Sequence, residues 1–235
     1  MRTRGVLFDL YGTLVVYGEM EKAWNAWYDV IYEALRINGL ELSQTEFRPC
    51  CGGFFEKPEP QDNGEALSVV ERRLHRLAAE VNVAIPREQA LQAIEDSIDV
   101  WHDYVRLDPE AMEVLREIGR NRSIALVSNF DYAPYVHRLM ARWDLEPLFD
   151  TILVSDAVGV KKPHPEIFEQ ALRELELTAS QTIHVGDSRE DIEGAVGAGI
   201  RPVWIDRQCK DRWRAQPESD VTRISSLTEL LDLLD

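Results

Sequence analysis

Apolar residues along this 235-residue chain fall into two kinds of pattern. Short continuous runs recur at 5–10 (GVLFDL), 123–129 (SIALVSN), 150–155 (DTILVS), 182–187 (TIHVGD) and 201–206 (RPVWID). None of them alternates apolar with polar, and strands buried on both faces belong to a parallel sheet. Between the later runs, apolar residues take helical spacing: Met112, Leu115 and Ile118; then Tyr135, Val136, Leu139 and Met140; then Ile167, Phe168, Ala171, Leu172 and Leu175. Strand alternating with helix predicts crossover units and an α/β fold with a doubly wound parallel sheet.

The rhythm breaks after the first run. No second strand follows for roughly ninety positions, far beyond ordinary loop lengths, so this stretch must carry structure of its own. Trp24, Trp27, Tyr28, Ile31 and Leu35 fit one helical stripe, Leu67, Val70, Leu74 and Leu77 a second, and Leu91, Ile94, Ile98 and Trp101 a third. The spacing predicts an all-helical insertion over 15–105, separate from an α/β core made of 1–14 and 106–235 and joined to it near Val15 and Arg106. Such an insertion is expected to act as a lid. The Trp24, Trp27 and Tyr28 stripe reads as core packing. The Gly- and Pro-rich segment 49–64 reads as a long loop carrying Phe54 and Phe55.

Composition narrows the function. Lys and Arg total 26 against 42 Asp and Glu, a formal charge of −16. Phosphate backbones are bound through clustered cations, so nucleic acid is not an expected partner. No run approaches the ~18 apolar residues of a membrane span, and the apolar stretch at the amino terminus is broken by Asp9 and lacks a small-residue cleavage site, so a soluble protein that is not exported is expected. Cys50, Cys51 and Cys209 have no metal-ligand spacing and suggest a reducing cytoplasm. The expectation is a cytoplasmic protein, monomer or homodimer, acting on a small molecule without membrane or nucleic acid.

The candidate chemistry sits at the ends of the apolar runs. Asp9 follows the first, Ser128 and Asn129 close the second, Lys162 lies beyond the third, and Asp187 follows TIHVG. Ligands of open parallel sheets bind outside the carboxyl ends of the strands, so these groups are expected to converge there. Asp9 beside Asp187 places two like charges in one site, which calls for a cation, and Mg2+ prefers such oxygen ligands. Asp191 lies one helical turn beyond Asp187 and would face the same site as a further candidate ligand of the cation. An aspartate nucleophile suits phosphoryl transfer, with Lys162 and the metal spreading charge and Ser128 donating to a phosphoryl oxygen. Gly12 permits a tight turn after Asp9, and the Thr13 hydroxyl is placed to orient the nucleophile.

Taken in order, these segments resemble the four motifs of the haloacid dehalogenase superfamily of hydrolases. DLYGTL (Asp9–Leu14) is similar to the first, Ser128 and Asn129 to the second, Lys162 in KKPHPEIF to the third, and GDSREDIEGAVGAG (186–199) to the fourth. Lys161 is the adjacent candidate in the third motif, but Lys162 directly precedes Pro163 and fits the pattern better. The helical insertion matches the position of that superfamily's cap. The resemblance implies a covalent aspartyl intermediate at Asp9, with Mg2+ held by Asp9, the Tyr11 backbone carbonyl and Asp187.

Tyr11 departs from the phosphatase pattern, which carries an aspartate there to protonate the leaving alkoxide and then activate water. A phenol, with a pKa near ~10, can donate a proton but does not readily serve as a base at neutral pH. Haloacid dehalogenases have tyrosine at this position, because halide leaves without a proton. They work without metal, however, whereas this chain keeps GDSRED. The first reading is therefore a magnesium-dependent phosphomonoester hydrolase. The alternatives are a metal-free 2-haloacid dehalogenase using Asp9, or a weakly active or non-catalytic family member. Glu190 and Asp131 are candidates for the missing acid/base, although a solvated helix start and an N-cap explain them as well. The five histidines lack metal spacing; His184, within a strand, reads as a satisfied core residue, and His75, His102, His137 and His164 as surface residues.

Overall fold

The computed structural model describes residues 2–61, 64–207 and 221–234. Cys209 lies outside the described residues. The chain divides into two compact units, one formed by residues up to Val16 together with those from Leu107 onward, the other by Tyr17–Arg106.

The first unit is built on β1 (Gly5–Phe8), followed after the insertion by α5 (Ala111–Gly119), β4 (Ser123–Ser128), α6 (Ala133–Arg142), β5 (Thr151–Val154), α7 (Ser155–Val158), α8 (Pro165–Glu174), β6 (Thr182–Gly186), α9 (Arg189–Gly197), β7 (Arg201–Ile205), β8 (Thr222–Ile224) and α10 (Glu229–Asp232). The second contains α1 (Met20–Ile37), α2 (Gln44–Phe47), α3 (Val69–Glu80) and α4 (Arg87–His102). Two short strands, β2 (Val15–Tyr17) and β3 (Val105–Leu107), pair where the chain leaves and re-enters the first unit. This small ladder was not foreseen, because three residues are too few to show a period.

Six strands form one parallel sheet in the order β5-β4-β1-β6-β7-β8. From β1 the chain moves outward on one side through β4 and β5, then returns to add β6, β7 and β8 on the other. β1 therefore lies between the two halves, and the crevice at its carboxyl end, beside β6, is the switch point at which such sheets bind ligands. Register brings the ends together: Phe8 sits opposite both Leu126 and Val185, and the Asp9 N–H continues the ladder to the Val185 carbonyl at 2.9 Å. One core face packs Leu7, Val127 and Leu153 of the sheet against Ile167, Phe168 and Ala171 of α8, all buried. Burial on both faces holds for the central strands β1, β4 and β6, whereas β5 and β7, farther from the centre of the sheet, keep partly exposed positions, which corrects the expectation for their runs.

In the helical unit, α1 buries Ala23, Trp27, Tyr28, Ile31 and Leu35 and packs on α4. α3 starts at a reciprocal capping box between Ser68 and Glu71, and its buried Arg73 donates to the carbonyls of Phe54 (3.0 Å) and Lys57 (2.6 Å), pinning the long loop. Two expectations are corrected. Trp24 is not core but 43% exposed, because it lies at the edge of the buried stripe, where its ring meets Trp27, Phe55 and Trp101. His102 is not a surface residue: it is buried at the end of α4, with Nδ1 2.9 Å from the Ile98 carbonyl. No helix among the described residues is long and apolar enough to cross a membrane.

Candidate active site

Asp9, Ser128 and Asp187 follow or end three adjacent strands, β1, β4 and β6, so the sheet itself carries them to one edge. Lys162 arrives from the segment between α7 and α8 and is 3% exposed. Its Nζ lies 2.6 Å from Asp9 Oδ1 and 2.6 Å from Asp191 Oδ1. Asn129 sets the backbone beneath it: its Oδ1 accepts from the Lys162 N–H at 2.8 Å and its Nδ2 donates to the Lys162 carbonyl at 2.9 Å. Lys161, the neighbour, is exposed.

Asp191 is wholly buried and engaged at both oxygens. Oδ1 takes Lys162 and, at 2.9 Å, His184 Nε2, while Oδ2 accepts from the Ser188 N–H (3.1 Å) and hydroxyl (2.6 Å). Ser188 in turn accepts from the Asp191 N–H, so DSRED closes a capping box at the start of α9. The sequence carried that signal, and with it the reason Asp191 turns back into the site. His184 is buried edge-on to Phe168 and joins the charge network through Nε2, but its Nδ1 is buried with no hydrogen-bond partner among the described residues, so the expectation of a fully satisfied core histidine is corrected.

Close approach explains two glycines. A Cβ on Gly12, whose φ is +87°, would collide with the Asp187 carboxylate, and one on Gly186 would collide with Asp191. The turn after Asp9 is thereby pressed against the second carboxylate.

Burial, with the nearby Asp191 and Asp187 charges, pushes the Asp9 carboxyl up to about 7 despite the opposing Lys162. Burial works against the Lys162 ammonium too, but Asp191 and Asp9 outweigh it and hold it charged well above its ordinary range. The Asp191 carboxyl is shifted the other way from Asp9: burial opposes its charge, but Lys162 and His184 prevail and lower it. Two carboxylates a few ångströms apart are thus driven in opposite directions, Asp191 toward its charged form and Asp9 toward its neutral form.

Asp9, Asp187 and Asp191 each bring a carboxylate oxygen within 4.8 Å of one another. An oxygen-only donor set of this kind fits a hard divalent cation such as Mg2+. With both Asp191 oxygens already hydrogen-bonded, Asp9 and Asp187 are the pair best fitted to hold it. The Ser128 hydroxyl is buried and finds no hydrogen-bond partner among the described residues, as expected of a donor kept for a ligand. The Thr13 hydroxyl is also buried and has no hydrogen-bond partner among the described residues, Asp9 included, so the expected hydrogen bond to the nucleophile is not formed.

Tyr11 is 8% exposed and stacks on Phe130, with ring centroids 5.3 Å apart and planes at 17°. Phe130 is fixed by its N–H to the Ser155 hydroxyl at 3.1 Å. Of the acid/base candidates, Glu190 is exposed, and Asp131 is not the cap of α6: Tyr132 holds that position, and the Ala133 N–H donates to Asp156. Burial pushes the Cys51 thiol up to about 12, which leaves it inert as a nucleophile. Pattern reading missed Arg207 and Asp108, which hold the turn after Asp9 from behind. Neither stands in a motif that would have signalled it.

The family model of haloacid dehalogenase-like hydrolases matches residues 3–199, and the chain belongs to that family. It is an enzyme of the hydrolase class. It is 29% identical over 245 residues to a ribulose-1,5-bisphosphate 5-phosphatase of Halopiger xanaduensis, covering 97% of this chain and 98% of the relative. It is 31% identical over 210 residues to a phosphoglycolate phosphatase of Salmonella typhi, covering 86% and 81%. Among solved structures it is similar to a 2-haloacid dehalogenase from Pseudomonas syringae pv. Tomato DC3000, with a TM-score of 0.70, 25% identity and coverage of 99% and 98%. The fold is also shared with the HAD-hydrolase YfnB from Bacillus subtilis bound to magnesium, with a TM-score of 0.66, 22% identity and full coverage of both chains.

Proposed function

We propose that this enzyme hydrolyses a small phosphomonoester through attack by Asp9, with Mg2+ held by Asp9, Asp187 and the Tyr11 carbonyl. The observation that carries this reading is Lys162 bridging Asp9 and Asp191 beside Asp187. Lys162 stays charged and orients one Asp9 oxygen, leaving the other to attack phosphorus. As the new P–O bond forms, the bond to the leaving alcohol breaks, and the alcohol departs with a proton from solvent. Lys162 and the Ser128 hydroxyl face the charge on the phosphoryl oxygens. Water then hydrolyses the aspartyl phosphate and frees Asp9. The bound cation would supply further charge neutralisation at those oxygens. Asp191, His184 and Asn129 position Lys162. The Tyr17–Arg106 unit is the cap expected from the insertion, and its role as a lid belongs to the same reading.

Support for phosphate chemistry comes from relatives named as phosphatases over most of the chain. A second reading, 2-haloacid dehalogenation, is favoured by Tyr11 and by the similarity to a solved dehalogenase. A panel of phosphorylated metabolites run beside chloroacetate and fluoroacetate, with and without Mg2+, decides between them. Magnesium-dependent phosphate release is expected, and metal-independent halide release would replace the first reading with the second.

A further inference from the structure

We infer that Arg207 is a positioning residue that sets the turn carrying the nucleophile and ties it to Asp108, where the chain has just returned from the helical unit. The inference rests on Asp9 being the nucleophile.

Every nitrogen of the Arg207 guanidinium is used. Nε donates to the Gly12 carbonyl at 3.2 Å, Nη2 donates to the Thr13 carbonyl at 2.6 Å, and Nη1 pairs with Asp108 Oδ2 at 2.5 Å. Asp108 closes the ring, because its N–H donates to the Leu14 carbonyl at 2.9 Å. Its other carboxylate oxygen accepts from the Glu110 N–H at 2.7 Å and anchors it at the approach to α5. Three consecutive carbonyls of the first motif, Gly12 to Leu14, are thus held by two side-by-side groups from distant parts of the chain.

The clamp sits on firm ground. Arg207 follows β7, and the preceding Asp206 is bound through its N–H to the Ile224 carbonyl. The Arg207 side chain is 19% exposed and that of Asp108 6%. A planar guanidinium reaches two carbonyls and a carboxylate at once, which the point charge of a lysine cannot do. The opposite side of the turn is fixed by the Asp9 N–H to Val185 and the Gly12 N–H to Val15. With both sides held, the Asp9 carboxylate has little freedom beyond the orientation Lys162 gives it. Misplacement of a reacting group by about 1 Å costs roughly 100-fold in rate, so loss of the clamp is expected in kcat rather than in KM.

The test compares Arg207→Met and Arg207→Lys with two controls, Asp9→Asn and Arg223→Met, using p-nitrophenyl phosphate and Mg2+. Arg223 pairs with Asp206 on the same sheet edge but does not touch the turn. Arg207→Met is expected to lower kcat by about 10–100-fold with KM changed by less than about threefold, and added guanidinium ion, well below denaturing concentration, to restore part of kcat in this variant alone. Arg223→Met should keep kcat. Hydrogen exchange at the Leu14 and Val15 amides, both bound to the Leu10 carbonyl, should quicken in Arg207→Met. Should that variant not fold, Arg207→Lys carries the test, with an intermediate kcat and faster exchange expected. Wild-type kcat in a folded Arg207 variant while Asp9→Asn is inactive overturns the clamp, as does an equal loss of kcat in Arg223→Met. Turnover by Asp9→Asn instead removes the nucleophile on which the clamp depends.

Discussion

Replacing Asp191 by asparagine separates an anchor for Lys162 from a metal ligand. All four partners of its carboxylate, the Lys162 ammonium, His184 Nε2, the Ser188 N–H and the Ser188 hydroxyl, lie at 2.6–3.1 Å in a fully buried setting. An amide placed there turns its NH2 group toward donors in either orientation. Breaking a buried ion pair costs about 3–5 kcal/mol, and because Lys162 keeps Asp9, the lower figure, ~3 kcal/mol, is expected. At about 2–4 °C per kcal/mol for a chain of this size, the melting temperature should fall by roughly 6–12 °C. The charge of Asp191 is favoured by folding, since its carboxyl is held below the ordinary range. Its contribution is therefore fully present above the unfolded value near ~3.9 and is lost as pH falls from there toward the depressed folded value. Thermal melts in EDTA at pH 7 and in acid provide the assay, with Asp187→Asn alongside. Asp187 raises the Asp9 carboxyl by repulsion, so its removal should leave metal-free stability unchanged or higher. If Asp191→Asn matches the wild type in EDTA, or both variants shift stability in the same direction, the assignment of Asp191 as the anchor of Lys162 is wrong.

Further outcomes are expected. Asp9→Asn should abolish turnover, because an amide is a poor nucleophile, and single-turnover assays with a phosphate ester check this. The Asp9 carboxyl, held up to about 7, binds its proton more tightly in the folded chain, so metal-free stability contributed by Asp9 is greatest at low pH and is lost as pH rises toward 7. The same proton competes with Mg2+, so calorimetry should find affinity rising with pH up to about 7 with proton release, and a pH-independent affinity would contradict it. Tyr11→Asp should keep or raise activity on alkyl phosphates, by up to about 10²–10⁴-fold where proton donation limits the rate, and should lower turnover of a 2-haloacid if that is the substrate. Asn129→Leu removes both bonds to the Lys162 backbone and should lower kcat by about tenfold or more, with KM moving less.

Much of the architecture was legible in the order of residues alone. Near-continuous apolar runs at 5–10, 123–129, 150–155, 182–187 and 201–206 mark strands of a parallel sheet, the central ones of which, β1, β4 and β6, are buried on both faces, and the polar residues that end them follow from the rule that parallel sheets bind ligands at their carboxyl edges. Asp9, Ser128, Asn129, Lys162 and Asp187 stood out for that reason. The helical insertion was legible as well, since ninety residues without a strand must bury their apolar faces among themselves. What the order of residues does not hold is distance between segments. Trp24 fits the same helical stripe as Trp27, yet only the packing of α1 on its neighbours decides which ring is covered. Asp191 has one spacing in the chain whatever it faces, and only the tertiary structure brings Lys162, His184 and Ser188 around its oxygens. Arg207 and Asp108, 99 residues apart in sequence, meet behind the Gly12–Leu14 turn because β7 and the end of β3 reach the same edge. A local pattern records what each residue buries among its neighbours in the chain, whereas partners brought together by the sheet order exist only once β1, β6 and β7 lie side by side.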